Sequence, residues 1–437
     1  MHNAAYVHAR EHLERHSSLM SETATRVMRH ASEIPLARRV AVYVVALLGY
    51  TLYCYNFVVA DYVRPYVVSE LGFTIQQTAI VSSAGNIGIT IGAIFWAGFV
   101  AWAGRRWSAF AVAAAIGLSA AILAGYSAFA VWVPARALLT AALGGYYVVA
   151  TGLVVALFPA GVRGKLIALN SAMYPAASMF VGLLGGWLGD ANWHWLLWIG
   201  ALPLPLAFIL LAVIPSDRNY RAYDETEETE NEPAGSWREM LGGRWRWLTI
   251  GCVVLSGLDF NAYQLFQGFL TLYLRNEVGM TAQPMGNIVA LISAGSLVGS
   301  FFWAWVSDRW GRRLPLVGYL VSGLAILTFL HVDAGYTGLV ISGVVFGFGL
   351  TCTTAWGPWF AEMFPPRLRP HGAALFHAGH ILALGSPLFA AWASEGLGLS
   401  AAMSLAAVVY AAGAALWFFL PETLGKPTQT RNVPVLA

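Results

Sequence analysis

The sequence predicts an all-α membrane protein whose twelve transmembrane helices form two pseudo-symmetric six-helix bundles. Three observations carry that expectation. Long apolar runs recur along nearly the whole chain from Val40 to Leu420. The decapeptide "AGFVAWAGRR" of Ala97–Arg106 returns 207 residues later as "AWVSDRWGRR" of Ala304–Arg313. Lysine and arginine collect in alternate loops.

Only 11% of the 437 residues are charged and 58% are hydrophobic, giving a mean hydropathy of +0.62. A soluble globule carries roughly 25% charged residues. The two or three soluble domains that the length would allow therefore give way to a polytopic membrane protein. The 18 Trp, 18 Tyr and 45 Gly fit that reading, since aromatics anchor helix ends at the interface and glycine lets spanning helices approach closely. Cys54, Cys252 and Cys352 lie in apolar segments without ligand spacing and read as small packing residues. The first 37 residues are polar and the first apolar run is too long for a signal-peptide core, so it is expected to stay as a membrane anchor.

Charged, Pro-rich and Gly-rich punctuation sets helix starts near residues 40, 76, 107, 130, 164, 193, 247, 283, 314, 335, 370 and 399. Each run has roughly the 20 residues that cross a bilayer core. With both termini cytoplasmic, 22 of the 25 basic residues fall on the cytoplasmic side or in the tails, leaving Arg64, Arg136 and Arg275. The expected divisions are a cytoplasmic tail (1–37), an N-terminal bundle (38–214), an acidic cytoplasmic linker (215–245), a C-terminal bundle (246–421) and a second cytoplasmic tail (422–437). The linker's "DETEETENEPAG" reads as a solvated segment, with docking of a cytosolic partner as the alternative. His8, His12 and His16 share a helical face, a spacing open to metal binding; the plainer alternative is translation from Met20, and no metal or other cofactor is expected.

The repeat extends upstream, where Gly88, Gly92, Phe95, Trp96 and Ala97 pair with Gly295, Gly299, Phe302, Trp303 and Ala304. A second match, "LFPAGVRGK" from Leu157 with "MFPPRLRPH" from Met363, has an offset of 206. Two matches in the same order indicate internal duplication, a mark of secondary transporters. Asp308, Arg309, Gly311, Arg312 and Arg313 closely resemble the G-x-x-x-D-R-x-G-R-R loop motif of the major facilitator superfamily, with Ala304 at the leading glycine. Glu362, Pro365, Arg369 and "PETLGKP" (Pro421–Pro427) extend the likeness. The first copy keeps Gly104, Arg105 and Arg106 but has Ala101 and Trp102 at the Asp and Arg positions. The resemblance implies a cytoplasmic gate held by that Asp against the opposite half, so its loss is expected to favour the inward-open state.

The first span, "LLGYTLYCYNFVVADYVRPYVV", is similar to the metabolite:proton symporter branch that carries aromatic acids, sialic acid and organic acids, whose D-G-F-D element reads here as Tyr53, Cys54, Tyr55, Asn56. Gly49, Tyr53, Asn56, Ala60 and Arg64 share one helical stripe, suited to a cavity wall. Arg64 either clamps a carboxylate or pairs with Asp61. Asn261, Gln264, Gln267 and Thr271 form a polar stripe in the seventh span, and amides there are costly unless they face protein or water. Asp259, about 18 Å into that span, and Asp61 are the carboxyl candidates for proton coupling, with a structural partner in another helix the rival reading of Asp259. His377 and His380 lie one turn apart in the eleventh span and pair by offset with Ser171 and Tyr174. They serve either an anion or proton relay, or helix packing. Arg136 reads as structural, while Tyr146, Tyr147, Thr151, Thr354, Trp356 and Trp359 are candidate walls.

Together with these residues, the resemblance implies a monomeric inner-membrane secondary carrier that moves a small organic acid or related polar metabolite with a proton by alternating access, its partners being that substrate and the lipid bilayer. No P-loop or nucleic-acid signature is present. Alternatives are a uniporter or symporter of sugars or neutral metabolites, a drug exporter, and a non-transporting sensor. An enzyme is not expected, because no nucleophile, base and orienting group recur together.

Overall fold

The computed structural model describes residues 29–217, 220–221 and 236–425. The tail histidines His8, His12 and His16, both candidate start residues and the acidic run 224–235 lie outside the described residues. A two-residue parallel pair, Arg29–His30 with Tyr220–Arg221, accompanies an otherwise helical structure.

Among the described residues, nine helices are long and apolar enough to cross a membrane. The twelve expected spans emerge once the helix breaks are traced to their causes. The first span, Leu36–Tyr62, breaks at Val63 and resumes as Arg64–Glu70, because Pro65 has no N–H with which to continue the helix. The second and third run together as Ile75–Gly125, opened by a Thr74–Gln77 capping box and bent at Gly104, where φ is 78°. The fourth is Phe129–Leu157, the fifth Ala160–Leu188, and the sixth His194–Ile199 with Pro203–Val213. The seventh is Arg246–Phe266 with Leu270–Asn276, and the eighth, Ala282–Trp310, stops at Gly311, where φ is 123°. The ninth, Leu316–His331, has only 16 residues and is shorter than expected. The tenth joins Gly335–Leu350 to Trp356–Glu362 through a 3-10 turn, the eleventh joins Arg369–Ala378 to Ser386–Leu397 likewise, and the twelfth is Leu399–Phe419.

The breaks follow the duplication. Val63 in the first span and Phe269 in the seventh stand 206 residues apart, the spacing of the second sequence match. They also correct the expected stripes: Arg64 and Thr271 lie beyond the breaks, so neither continues the helical face of its predecessors.

Between the halves, the fifth span packs along the eighth, and the second span against the eleventh. Glycine sets the closest approach. A Cβ on Gly286 would lie 2.2 Å from the Gly182 carbonyl oxygen, and one on Gly182 would lie 2.6 Å from that of Gly286. Several contacts gather at the end remote from the Gly104 and Gly311 turns. Arg275 pairs with Asp190, Gln76 donates to Glu395 at 3.1 Å, and the Thr271 hydroxyl donates to the Asp61 carbonyl at 2.7 Å. The Arg64 guanidinium lies 4.4 Å from the Phe269 ring centroid.

Candidate functional site

The two Gly-Arg-Arg turns are built alike. At Gly311 the chain turns so that the N–H groups of Arg312 and Arg313 each donate to the Glu422 carboxylate at 2.9 Å, joined by those of Thr423 and Leu424. At Gly104 the Arg105 N–H donates to the Asp217 carboxylate, whose other oxygen lies 3.4 Å from the Arg105 Nη1. A Cβ would come within 2.8 Å of Glu422 at position 311 and within 2.5 Å of Asp217 at position 104. Both turns therefore need glycine for space as well as for φ. Burial pushes the Glu422 carboxyl up, but hydrogen bonds from Leu424, Arg312, Arg313 and Thr423 outweigh it and hold the group below the usual carboxylate range. Neither acid was among the expected gate residues. Their signal lay in Pro215 and Pro421, 206 residues apart, each followed within two positions by a carboxylate.

The arginine side chains break this symmetry. Arg312 donates to Asp308 at 2.5 Å, to Ser307 at 2.9 Å, and to both oxygens of Glu362 at 2.7 and 3.1 Å. At the repeat offsets Ala101 and Ala156 stand where Asp308 and Glu362 do, so Arg105 has Asp217 in their place. Arg106 and Arg313 play matching parts, their Nε atoms donating to the Leu211 and Leu420 carbonyls at 2.8 and 2.6 Å. Asp308 is 71% exposed and faces Arg312 of its own half. Arg309 is exposed, and Arg369 opens the eleventh span.

Midway along the fifth span the halves meet through aromatic side chains. The Tyr174 and Tyr263 hydroxyls share a hydrogen bond of 2.6 Å, and the Tyr147 ring lies 4.9 Å from that of His377. His377 and His380 are parallel at 6.3 Å, and His380 stacks on Phe260 at 3.6 Å. Tyr53 reaches this group through Tyr50, 5.0 Å away, which in turn lies 6.3 Å from Tyr147. The tertiary structure thus brings Tyr53, His377 and His380 together in one box of rings. Next to Tyr263 in sequence, Gln264 has a buried side-chain oxygen without a partner, as does Gln267 one turn on. Such a box offers flat faces to a ring and both donors and acceptors to a polar group. Tyr50 and Tyr263 were missed because single tyrosines in apolar helices carry no periodic signal.

Other expected residues sit apart from the box. Asn56 is turned into its own half, donating to the Leu52 and Gly200 carbonyls at 2.9 Å, where Gly200 leaves room for it. Its carbonyl accepts from Arg136 at 3.2 Å. Arg64 pairs with Asp61 at 2.8 Å and donates to Ser82 at 2.9 Å. Asn261 donates to the Gly257 carbonyl at 2.6 Å and accepts from Ser386, joining the seventh and eleventh spans. Asp259, 6% exposed, accepts from the Tyr319 hydroxyl at 2.9 Å inside the C-terminal half. Among the described residues no group of three His, Cys, Asp or Glu side chains could hold a metal ion.

The chain is 23% identical to the niacin transporter NiaP of Acinetobacter baylyi over 354 residues, covering 74% of this chain and 79% of that protein. It is 24% identical to a gallate transporter of Pseudomonas putida over 377 residues, 79% of this chain and 83% of that protein. Its fold is similar to the crystal structure of a bacterial homolog of the human lysosomal transporter Spinster in an inward-facing, unoccupied conformation. That match has a TM-score of 0.75 and 16% identity, and covers 88% of this chain and 97% of the other. The profile of the Major Facilitator Superfamily matches residues 46–281 and 252–435. The chain belongs to the Major Facilitator Superfamily, as a multi-pass membrane transporter and not an enzyme.

Proposed function

We propose that this secondary transporter carries a small organic acid or a related polar metabolite, with a proton, by alternating access. The observation that carries the reading is the ring box at the junction of the halves, with Tyr147, Tyr174 and Tyr53 on one side and Tyr263, His377 and His380 on the other. A substrate held there touches both halves, so its binding energy can differ between the two accessible states. Niacin and gallate, named for the two relatives, are aromatic carboxylic acids, and ring faces beside phenol and imidazole donors suit that class. Asp259, buried against Tyr319, is the proposed proton carrier, with Asp61 the second carboxyl.

The distribution of basic residues supports cytoplasmic placement of both termini, and the proposed reading takes the protein as a monomer of the inner membrane. In that orientation the contacts of Arg275, Gln76 and Thr271 close the outer side. The deciding experiment is uptake of niacin, gallate and non-aromatic acids into proteoliposomes with and without a pH gradient. Accumulation of an acid that needs the gradient and is lost in Asp259→Asn is expected. Uptake that ignores the gradient and survives Asp259→Asn sinks the proton-coupled reading, and binding without accumulation points to a sensor.

A further inference from the structure

A cavity lies wholly inside the N-terminal half, away from the ring box. Its free space is about 30 Å³, and its polar lining is Asn56, Arg64, Thr78, Ser82 and Arg136. That is room for a water or an ion of similar size, and too little for an organic acid. Arg64 is 2% exposed; its Nη2 is used by Asp61 and Ser82, while Nε and Nη1 are buried with no partner. Arg136 is 8% exposed, lies across Gly85, and gives one Nη1 bond to a neutral carbonyl. Asp61 is the carboxylate paired with Arg64, and among the described residues Arg136 makes no ion pair. Two guanidiniums thus face one carboxylate, leaving one buried positive charge without a counter-charge. Such an excess is strongly disfavoured away from water, and guanidinium N–H groups without partners add to the cost.

We propose that this cavity binds one small monovalent inorganic anion of the chloride class, held between Arg64 and Arg136. The anion supplies the missing negative charge and an acceptor for the open N–H groups of Arg64. Because Arg64 also lies against Phe269 of the other half, occupancy stiffens the first span where it meets the seventh. The site is distinct from the ring box and does not depend on which substrate the box takes.

The test is the unfolding midpoint of the purified full-length protein, titrated with sodium chloride or bromide against sodium gluconate at constant ionic strength. Wild type is expected to gain an upward shift on the order of 2 °C or more that saturates with chloride and bromide. Ser82→Asp, which places a carboxylate beside Arg64, and Arg136→Gln, which removes the excess charge, are each expected to lose the response. Equal midpoints in chloride and gluconate overturn the proposal, as does a halide response that persists unchanged in either variant. If neither variant folds, the wild-type titration decides alone.

Discussion

Glu422 binds the turn at Gly311 by accepting the main-chain N–H groups of Arg312 and Arg313, each at 2.9 Å. Asp217 accepts that of Arg105 at Gly104 in the other half. The end of each bundle is thereby tied to its own loop motif, and what differs between the halves is the set of acids around the arginine side chain. Arg312 has Asp308 and Glu362; Arg105 has alanines at both positions.

Restoring the absent acid tests what this asymmetry does. Ala101→Asp is expected to shift the transporter toward closure at the Gly-Arg-Arg end. Ser171, exposed in the fifth span, reports it as Ser171→Cys: labelling by a soluble maleimide from that side should fall. Unchanged labelling would show that one acid suffices.

Removing the Glu422 carboxylate should loosen the Gly311 turn. Hydrogen bonds to a charged group contribute about 1.5–3 kcal/mol, and partial exposure lowers the expected loss for Glu422→Ala to about 1–2 kcal/mol. The pH dependence has a definite sign. Because the folded carboxyl is held below the usual range, its stabilisation is complete above the unfolded value of about 4.3 and is lost as pH falls through the lowered one. Wild type should therefore lose more stability on acidification than Glu422→Gln, and parallel melting-versus-pH curves would remove Glu422 from this role.

The Tyr174–Tyr263 bond crosses between halves at 2.6 Å. A bond of this kind is worth about 1 kcal/mol, so Tyr174→Phe and Tyr263→Phe should each shift the two-state equilibrium roughly fivefold away from this conformation and lower, by up to that factor, the apparent affinity of a substrate that prefers it. Because both remove one interaction, the double variant should lose little more than either single. Fully additive losses in a binding titration would place the two hydroxyls in separate roles.

Side-chain bulk at the glycine contact should hold open the end remote from the Gly104 and Gly311 turns. Gly286→Val places carbon atoms where the Gly182 carbonyl oxygen lies 2.2 Å from the Cβ position. Labelling of single cysteines near Gln76 from that end should rise, while uptake falls at least tenfold because one half of the cycle is blocked. Normal uptake by a well-folded Gly286→Val would show that the contact yields.

The second and third spans show how local signals carried the fold. Their shared helix bends at Gly104, and the eighth span stops at the repeated Gly311, so the "GRR" match marked both turns. The Arg312 cluster was legible for the same reason, with Asp308 four residues away and Glu362 in the second repeated segment. The candidate site was legible only in part. Tyr53, His377 and His380 were visible as polar groups on apolar helices, but Asn56 and Arg64, assigned to the same wall as Tyr53, face elsewhere because Gly200 admits the amide and Pro65 breaks the helix before Arg64.

By itself the sequence determined the membrane class, the duplicated plan and the motif turns, because apolar run length, glycine and proline act within a few residues. Only the tertiary structure decided that Asp217 stands in at Arg105 from 112 residues away, that Tyr174 meets Tyr263 across the halves, and that Arg64 and Arg136 share a cavity. Those relationships depend on how helices rotate and cross, which packing between distant segments sets and local periodicity does not encode.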